Sequence, residues 1–274
     1  MRLVALLMGI LGLYMWADDG AGQEADVPGR DLQKAARASA SSAVPVQEGF
    51  VAVEALGGLR VRFKGSIDAA SPGTAPPGSK NVLLLHGAKF TADTWANLGT
   101  LDLLAGKGYR VAAIDLPGHG KTQASRDPSL QMGSGENRAV ALQLLAEALG
   151  MGPANPPVIV SPSMSGSYSL PLLLSQPSRF AGYVPVAPPA ALEHAEADFE
   201  RVKGVPALVV YGENDRMGAR ASALLARIPG SEVLKVPGGS HPCYLDAPDL
   251  FHDVLARFLA EDAAFAAAAA AAAP

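Results

Sequence analysis

The chain of 274 residues predicts the α/β class, with a mostly parallel central sheet and helices on both faces. Three observations predict it. Short apolar runs alternate with segments of helical spacing through most of residues 45–262. Runs such as "NVLLL" and "VIV" lack polar alternation, as strands buried on both faces do. With 49% hydrophobic and 18% charged residues, the chain carries enough apolar surface for one large core.

The elements follow in order. "GFVAVEA" and "LRVRFKGS" flank Gly57-Gly58 and read as a hairpin, which places antiparallel strands at one sheet edge. "NVLLLHG" is the third strand, and "TWANLGTLDLLAGKG" has the spacing of one helix that stops at Gly108. "YRVAAIDLPG" is the fourth strand with its turn, and "SGENRAVALQLLAEALG" is a helix ending at Gly150. "PPVIVS" is a strand that ends near Ser161, and "SGSYSLPLLLSQ" is a helix with Pro171 inside it. "GYVPVAP" and "VPALVVYGEND" are strands six and seven, and the helix "ARASALLARI" follows them. "SEVLKVPGGSHP" is the eighth strand and its loop, and "DLFHDVLARFLAE" is the closing helix. Only residues 187–204 separate strand six from the lead-in to strand seven, room for about one helix, so any lid is minimal.

The two ends read differently. Residues 3–17, "LVALLMGILGLYMWA", are an uncharged apolar run after Arg2, followed by Asp18 and Asp19. A spanning helix wants about 20 such residues and a signal-peptide core runs to about 15. The charge asymmetry keeps the N-terminus cytosolic and sends the rest across. We read residues 1–17 as an uncleaved type II membrane anchor in preference to a cleaved signal, with a secretory-lumen or a cytoplasmic location as alternatives. Residues 18–44 read as a flexible linker, and residues 263–274 as a low-complexity poly-Ala tail that can prolong the last helix.

Charge and cysteine content exclude several functions. A net charge of −4 offers no electrostatic case for nucleic acid. The lone Cys243 can form neither an intrachain disulfide nor a Cys-based zinc site. The histidines are scattered, so no metal constellation is expected, and no resident cofactor either.

Ligands of open α/β sheets bind beyond the carboxyl ends of the strands. There the sequence places His86-Gly87-Ala88, then Asp115-Leu116-Pro117-Gly118-His119-Gly120, then a serine run, then Glu213-Asn214-Asp215, then Ser240-His241. Serine, acid and histidine in that chain order fit an α/β-hydrolase triad. In "VIVSPSMSGSYSL" five serines stand at every second position. A nucleophile elbow needs small residues two positions to either side. Ile159 excludes Ser161 on that ground, but Ser163, Ser165 and Ser167 all pass. Position selects Ser163, because the elbow directly follows its strand. Ser165, Gly166 and Ser167 then open the helix.

The chemistry assigns the partners. A serine hydroxyl needs a base to take its proton, here His241, and a carboxylate to hold and charge-balance the imidazole, here Asp215 with Glu213 as the competing acid. The Ala88 and Met164 backbone N–H groups are the expected oxyanion donors. His86 reads as shaping the oxyanion loop, His119 as a turn residue near the pocket mouth, and His194 and His252 as surface residues. Cys243 reads as a small buried residue. Gly120-Lys121-Thr122 resembles the end of a phosphate loop, but Asp115 stands where the first glycine belongs.

Six stretches carry a family resemblance: "LLLHGAKFTADTWANLGTL", "GYRVAAIDLPGHG", "VIVSPSMSGSYSLPLLL", "GYVPVAP", "PALVVYGENDRMG" and "GGSHPCYLDAP". Together they cover most of residues 80–250, and the sequence resembles the alpha/beta hydrolase domain-containing protein 14 group. That resemblance implies the α/β-hydrolase fold and a triad on Ser163, Asp215 and His241. It implies a serine hydrolase for short acyl esters. One branch is associated with removing acetyl groups from protein lysine and passing them to coenzyme A, which would then be an acyl acceptor. Another branch carries an N-terminal membrane anchor. The loop after Asp115 departs from the group, with Gly-His-Gly-Lys-Thr where relatives tend to have Gly-Leu-Gly-His-Ser. The expected partners are thus an acyl-bearing small molecule or an acetylated protein lysine, and a membrane through the N-terminal segment. The competing expectation is a catalytically silent interaction protein on the same fold, presented at a membrane.

Overall fold

The computed structural model describes residues 44–76, 78–124 and 135–271, with side chains as far as Glu261. The expected anchor at 1–17, the expected linker apart from Val44, and residues 272–274 of the tail lie outside the described residues. Among the described residues, no helix is long and apolar enough to cross a membrane.

The hairpin forms from β1 (Gln47–Val53) and β2 (Leu59–Gly65), antiparallel, with Gln47 opposite Gly65 and Val53 opposite Leu59. A 3-10 turn over Glu54–Leu56 leads into Gly57 and Gly58, both left-handed at φ 69° and 74°. β2 pairs antiparallel with β4 (Arg110–Ile114). All other pairings are parallel: β3 (Asn81–Leu84), β5 (Pro157–Pro162), β6 (Gly182–Val186), β7 (Leu208–Gly212) and β8 (Glu232–Val236). The sheet order is β1-β2-β4-β3-β5-β6-β7-β8. This is the α/β-hydrolase architecture.

The order places a crevice. β3 lies between β4 and β5, so the chain leaves β3 toward one side and returns as β5 on the other. Connections diverge at such a switch point and open a cleft above the strand ends. The loops after β3 and β5 are therefore brought side by side.

Strand alternation builds two cores. Leu83 and Leu85 face one layer, with Leu142 and Leu145 of α3 (Gly135–Ala148), Leu170 and Leu173 of α4 (Gly166–Ser175), and Ala221 and Leu225 of α6 (Arg216–Leu225). Val82 and Leu84 face the other. Their partners there include Trp95 of α1 (Ala92–Asn97), Leu101 and Leu104 of α2 (Thr100–Gly106), Tyr244 of α7 (Cys243–Asp246), and Phe251 and Leu255 of α8 (Pro248–Ala271). β3, β5 and β6 are buried along their whole length, which explains apolar runs such as Val82–Leu84 and Val158–Val160. The edge strands β1 and β8 alternate in exposure instead.

One expected helix comes out differently. The spacing of residues 94–108 predicts one helix, but two form, because Gly99 adopts φ 79° between them. A left-handed residue breaks the hydrogen-bond ladder and lets α2 set off in a new direction. The closing helix runs on through the alanines to Ala271, as alanine's high helix propensity favours. The short connection after β6 holds a 3-10 turn at Pro189–Glu193 and α5 (Glu196–Glu200).

A buried cation ties the hairpin to the crevice. The Arg62 side chain is 1% exposed and donates to Asp93, Asp115 and Glu48 at 2.7–3.1 Å. Arg62 hydrogen bonding, reinforced by Lys121, holds the Glu48 carboxyl down to about 2. Asp115 is the fully buried member and would lose its guanidinium partner, whereas Glu48 and Asp93 are partly exposed and keep Lys121 and Lys64. Arg62→Met is expected to lower stability by about 3–5 kcal/mol in urea unfolding, and a shift below about 1 kcal/mol would refute this account.

Candidate active site

Ser163 sits where β5 turns into α4. Its backbone has φ 52°, one of only two positive values among the described non-glycine residues. A left-handed side-chain-bearing residue costs about 1–3 kcal/mol and persists where its surroundings over-determine it. Ser163–Ser165 form a 3-10 turn, and the α-helix proper opens at Gly166, one residue later than expected. A turn of this kind lifts the Ser163 side chain out of the strand's line. Ser161 and Ser165, its neighbours two positions away, are fully buried.

Asp215 and His241 reach the same point from later strands. Asp215 follows β7 and caps α6, its Oδ1 accepting from Gly218 N–H at 2.9 Å. Its other oxygen, Oδ2, accepts from His241 Nδ1 at 2.5 Å. A proton on Nδ1 leaves Nε2 with a lone pair, and Ser163 Oγ donates to it at 2.8 Å. Gly218 is required for this arrangement: a Cβ there would meet Asp215 Oδ2 at 2.1 Å. The structure thus brings Ser163, His241 and Asp215 into one hydrogen-bonded series.

The competing acid takes a different job. Glu213 is solvated, pairs with Lys235 at 2.7 Å, and accepts from Gly238 N–H at 2.9 Å. It pins the loop that carries His241, as does Asn214, which donates to Gly238 and Gly239 carbonyls. Asp246 holds the other flank, accepting from Ser240 N–H and Oγ at 2.6 Å each. Asp246 lies in the quoted "HPCYLD" stretch, but a position five residues past a histidine gives no local sign of this role.

The loop after β3 runs beside the serine. A Cβ built on Gly87 would touch Ser163 Cβ at 3.6 Å, ordinary contact distance, and press more closely on the Phe90 ring at 3.3 Å, so the loop passes directly beside the serine. Ala88 follows directly in this loop, and Met164 adjoins Ser163 in the chain. His86 is fully buried and acts as a clamp: Nε2 accepts from Leu116 N–H at 3.0 Å, so the proton is on Nδ1, which donates to Gly87 O at 2.8 Å. The same carbonyl accepts from Phe90 N–H. His86 therefore joins the loops after β3 and β4, and it can do so only when neutral.

Burial lowers the His86 pKa, with smaller opposing and reinforcing influences from Gly87, His119 and Asp115. Burial lowers that of His252 as well. A histidine titrating lower in the fold than in the unfolded chain binds fewer protons there. Its contribution is present above the ordinary value of 6.5 and is lost as pH falls below it. Urea midpoints are expected to drop from pH 7.5 to pH 5.5, a window above the carboxylate range, and a flat profile would refute the clamp's neutrality.

The remaining candidates are accounted for. His119 rests 5.1 Å from the His86 ring with Nδ1 on Pro117 O. His194 packs edge-on to Phe199. His252 was expected at the surface, but it is half-buried, bonded through Nε2 to the Thr100 hydroxyl at 2.9 Å. The packing of α8 over α2 draws it in. Burial raises the Cys243 thiol to about 12, so it is not a thiolate nucleophile. Lys121 is paired with Glu48, and the Thr122 hydroxyl accepts from Arg62 N–H, so both side chains serve the buried arginine cluster. Among the described residues, no group of three His, Cys, Asp or Glu side chains could hold a metal ion.

Similar proteins share this framework. A model of the "Alpha/beta hydrolase family" matches residues 82–207. A rat protein, "Putative protein-lysine deacylase ABHD14B", is 44% identical over 196 residues, 70% of this chain and 89% of that protein. The chain belongs to the ABHD14 family of α/β-hydrolases. Human "Protein ABHD14A", a second ABHD14 member, is 41% identical over 179 residues, 65% of this chain and 63% of that protein. Beyond the ABHD14 family, a "predicted CIB-like hydrolase" from Thermoplasma acidophilum superposes with TM-score 0.67 at 27% identity, covering 78% of this chain and 98% of that one. Carboxylesterase CesB from Bacillus subtilis, at 16% identity and TM-score 0.60 over 84% of this chain and 98% of its own, shares the fold.

Proposed function

We propose that the chain is a serine hydrolase that removes short acyl groups, acetyl foremost, from a bulky carrier such as a protein lysine. The observation that carries this reading is the series Asp215–His241–Ser163, at 2.5 and 2.8 Å, with the His241 side chain still 35% exposed. The described connection after β6 holds only a 3-10 turn and one short helix, and the His241 side chain reaches solvent. An open site suits a small acyl group on a large carrier better than a long enclosed lipid. The name of the ABHD14B relative supports a lysine-borne acyl group.

In this reading Ser163 Oγ attacks the acyl carbon while its proton passes to His241 Nε2. Asp215 stabilises the resulting imidazolium through Nδ1. Charge builds on the former carbonyl oxygen, and the Ala88 and Met164 N–H groups stabilise it. His241 then gives its proton to the departing lysine nitrogen or alcohol oxygen, leaving an acyl ester on Ser163. An acceptor opens that ester by the same general-base route. Water as acceptor is hydrolysis, and the thiol of coenzyme A as acceptor is acyl transfer.

One assay tests the carrier and the acceptor together. The full chain is incubated with an acetyl-lysine peptide, with and without coenzyme A, and free lysine, acetate and acetyl-coenzyme A are measured. Lysine release supports the reading, and the ratio of acetate to acetyl-coenzyme A identifies the acceptor. No turnover of the peptide or of short acyl esters would leave the silent interaction protein in its place. Residues 3–17 are further proposed to anchor the chain in a membrane, and release of the full chain by alkaline carbonate would refute that.

A further inference from the structure

Four buried hydroxyls beneath the elbow form a continuous series. Tyr183 OH lies 2.9 Å from Ser169 Oγ, Ser169 Oγ 2.7 Å from Ser161 Oγ, and Ser161 Oγ 3.1 Å from Ser165 Oγ. Ser165 Oγ ends the series on the Pro162 carbonyl at 2.8 Å. All four side chains are fully buried. The carbonyl can only accept, so the Ser165 proton is committed to it. Ser165 must then accept from Ser161, Ser161 from Ser169, and Ser169 from Tyr183, because each hydroxyl has one proton. The direction of every bond is therefore settled by the one carbonyl at the end.

We propose that this one-way hydroxyl chain is a positioning device that ties the Pro162–Ser163 peptide to the sheet and so holds the nucleophile at its left-handed backbone angle. The proposal rests on the reading of Ser163 as nucleophile. Tyr183 belongs to β6, Ser169 to α4 and Ser161 to β5, so the chain references the elbow to three packed elements. Burial raises the Tyr183 phenol above its ordinary range, so the first donor keeps its proton at every working pH. Small size alone does not explain the serines. Glycine or alanine would satisfy the turn's steric demand at positions 161 and 165, but neither could pass a hydrogen bond to the Pro162 carbonyl. Ser167 stands outside the chain and donates to Met164 O instead.

The test uses Ser165→Ala, Ser161→Ala and Tyr183→Phe in the full chain. Each deletes one oxygen and leaves the packing volume nearly unchanged. The readouts are the rate of inactivation by a fluorophosphonate, kcat and KM for p-nitrophenyl acetate, and Tm. A displaced nucleophile loses rate, not affinity. For Ser165→Ala, kcat and inactivation rate should fall by about tenfold to a hundredfold. KM should stay within about twofold, the loss should lessen through Ser161→Ala to Tyr183→Phe, and the Ser161→Ala/Ser165→Ala double variant should be no worse than Ser165→Ala alone. Wild-type rates in all three singles, or losses that follow Tm without that order, overturn the proposal. If the serine variants do not fold, Tyr183→Phe, which leaves every serine in place, decides the matter by its kcat alone. Ser163→Ala is labelled in parallel: retained label there means the nucleophile itself is wrong, while lost label with wild-type chain variants overturns the positioning role only.

Discussion

Ser163→Ala is expected to abolish fluorophosphonate labelling and to lower kcat for short acyl esters by on the order of a millionfold. The size follows from the geometry. Ser163 Oγ is the atom His241 Nε2 accepts from, and removing it leaves no other hydroxyl on that nitrogen. Ser161 and Ser165 cannot substitute, because both are fully buried and committed to other hydrogen bonds. Fold should survive, since alanine has the same Cβ at the same φ of 52° and carries the same backbone strain. Ser163→Gly separates strain from chemistry. It should be equally inactive, yet about 1–2 kcal/mol more stable than Ser163→Ala, because glycine adopts the left-handed region without penalty. Labelling that persists in Ser163→Ala would refute the assignment of the nucleophile.

Asp215→Asn is expected to lower kcat by on the order of 10⁴ with little change in KM. The amide still fits, and its oxygen can accept from Gly218 N–H as Asp215 Oδ1 does. Its NH₂ then faces His241 Nδ1, which must become an acceptor. The imidazole proton moves to Nε2, and a protonated Nε2 cannot take the proton of Ser163. Glu213→Gln is the control. Glu213 contacts Lys235 and Gly238 and not His241, so its loss should leave kcat within a few-fold. Hydrogen bonding from Lys235, then from Gly238 N–H, keeps the Glu213 carboxyl below its ordinary range, as suits a fully ionised loop pin. If Glu213→Gln proved as damaging as Asp215→Asn, the choice between the two acids would reverse.

How much of this could be read in advance differs from element to element. β3, β5 and β6 were legible because burial on both faces leaves apolar runs such as Val82–Leu84 and Val158–Val160. The hairpin was legible because Gly57 and Gly58 supply the left-handed turn. The single helix expected over 94–108 was wrong for an intelligible reason: helical spacing continues across Gly99, but spacing does not report a backbone angle. Charged neighbours in sequence predict a surface position for His252, while its hydrogen-bond partner, Thr100, is 152 residues away. For the site, small size left three serines open, and the position of the strand's end chose among them. Glu213 and Asp215 lie two residues apart in one loop, and only the turn into α6 points one carboxylate inward at His241 and leaves the other in solvent.

The sequence by itself determined the order of the strands, the loops that carry chemistry, and the serine, acid and histidine types those loops present. These are local properties, written in periodicity and in which residue follows each strand. The tertiary structure decided everything that depends on two distant segments meeting. It gave Asp215 two separate duties, set His86 as a neutral clamp between the loops after β3 and β4, and buried Arg62 among three carboxylates. It also turned three alternate serines into a directed hydrogen-bond chain, because only the packing of β6 and α4 against β5 brings Tyr183 and Ser169 within reach of Ser161. A hydrogen bond has a range of about 3 Å, and chain order carries no information at that scale between residues far apart in sequence.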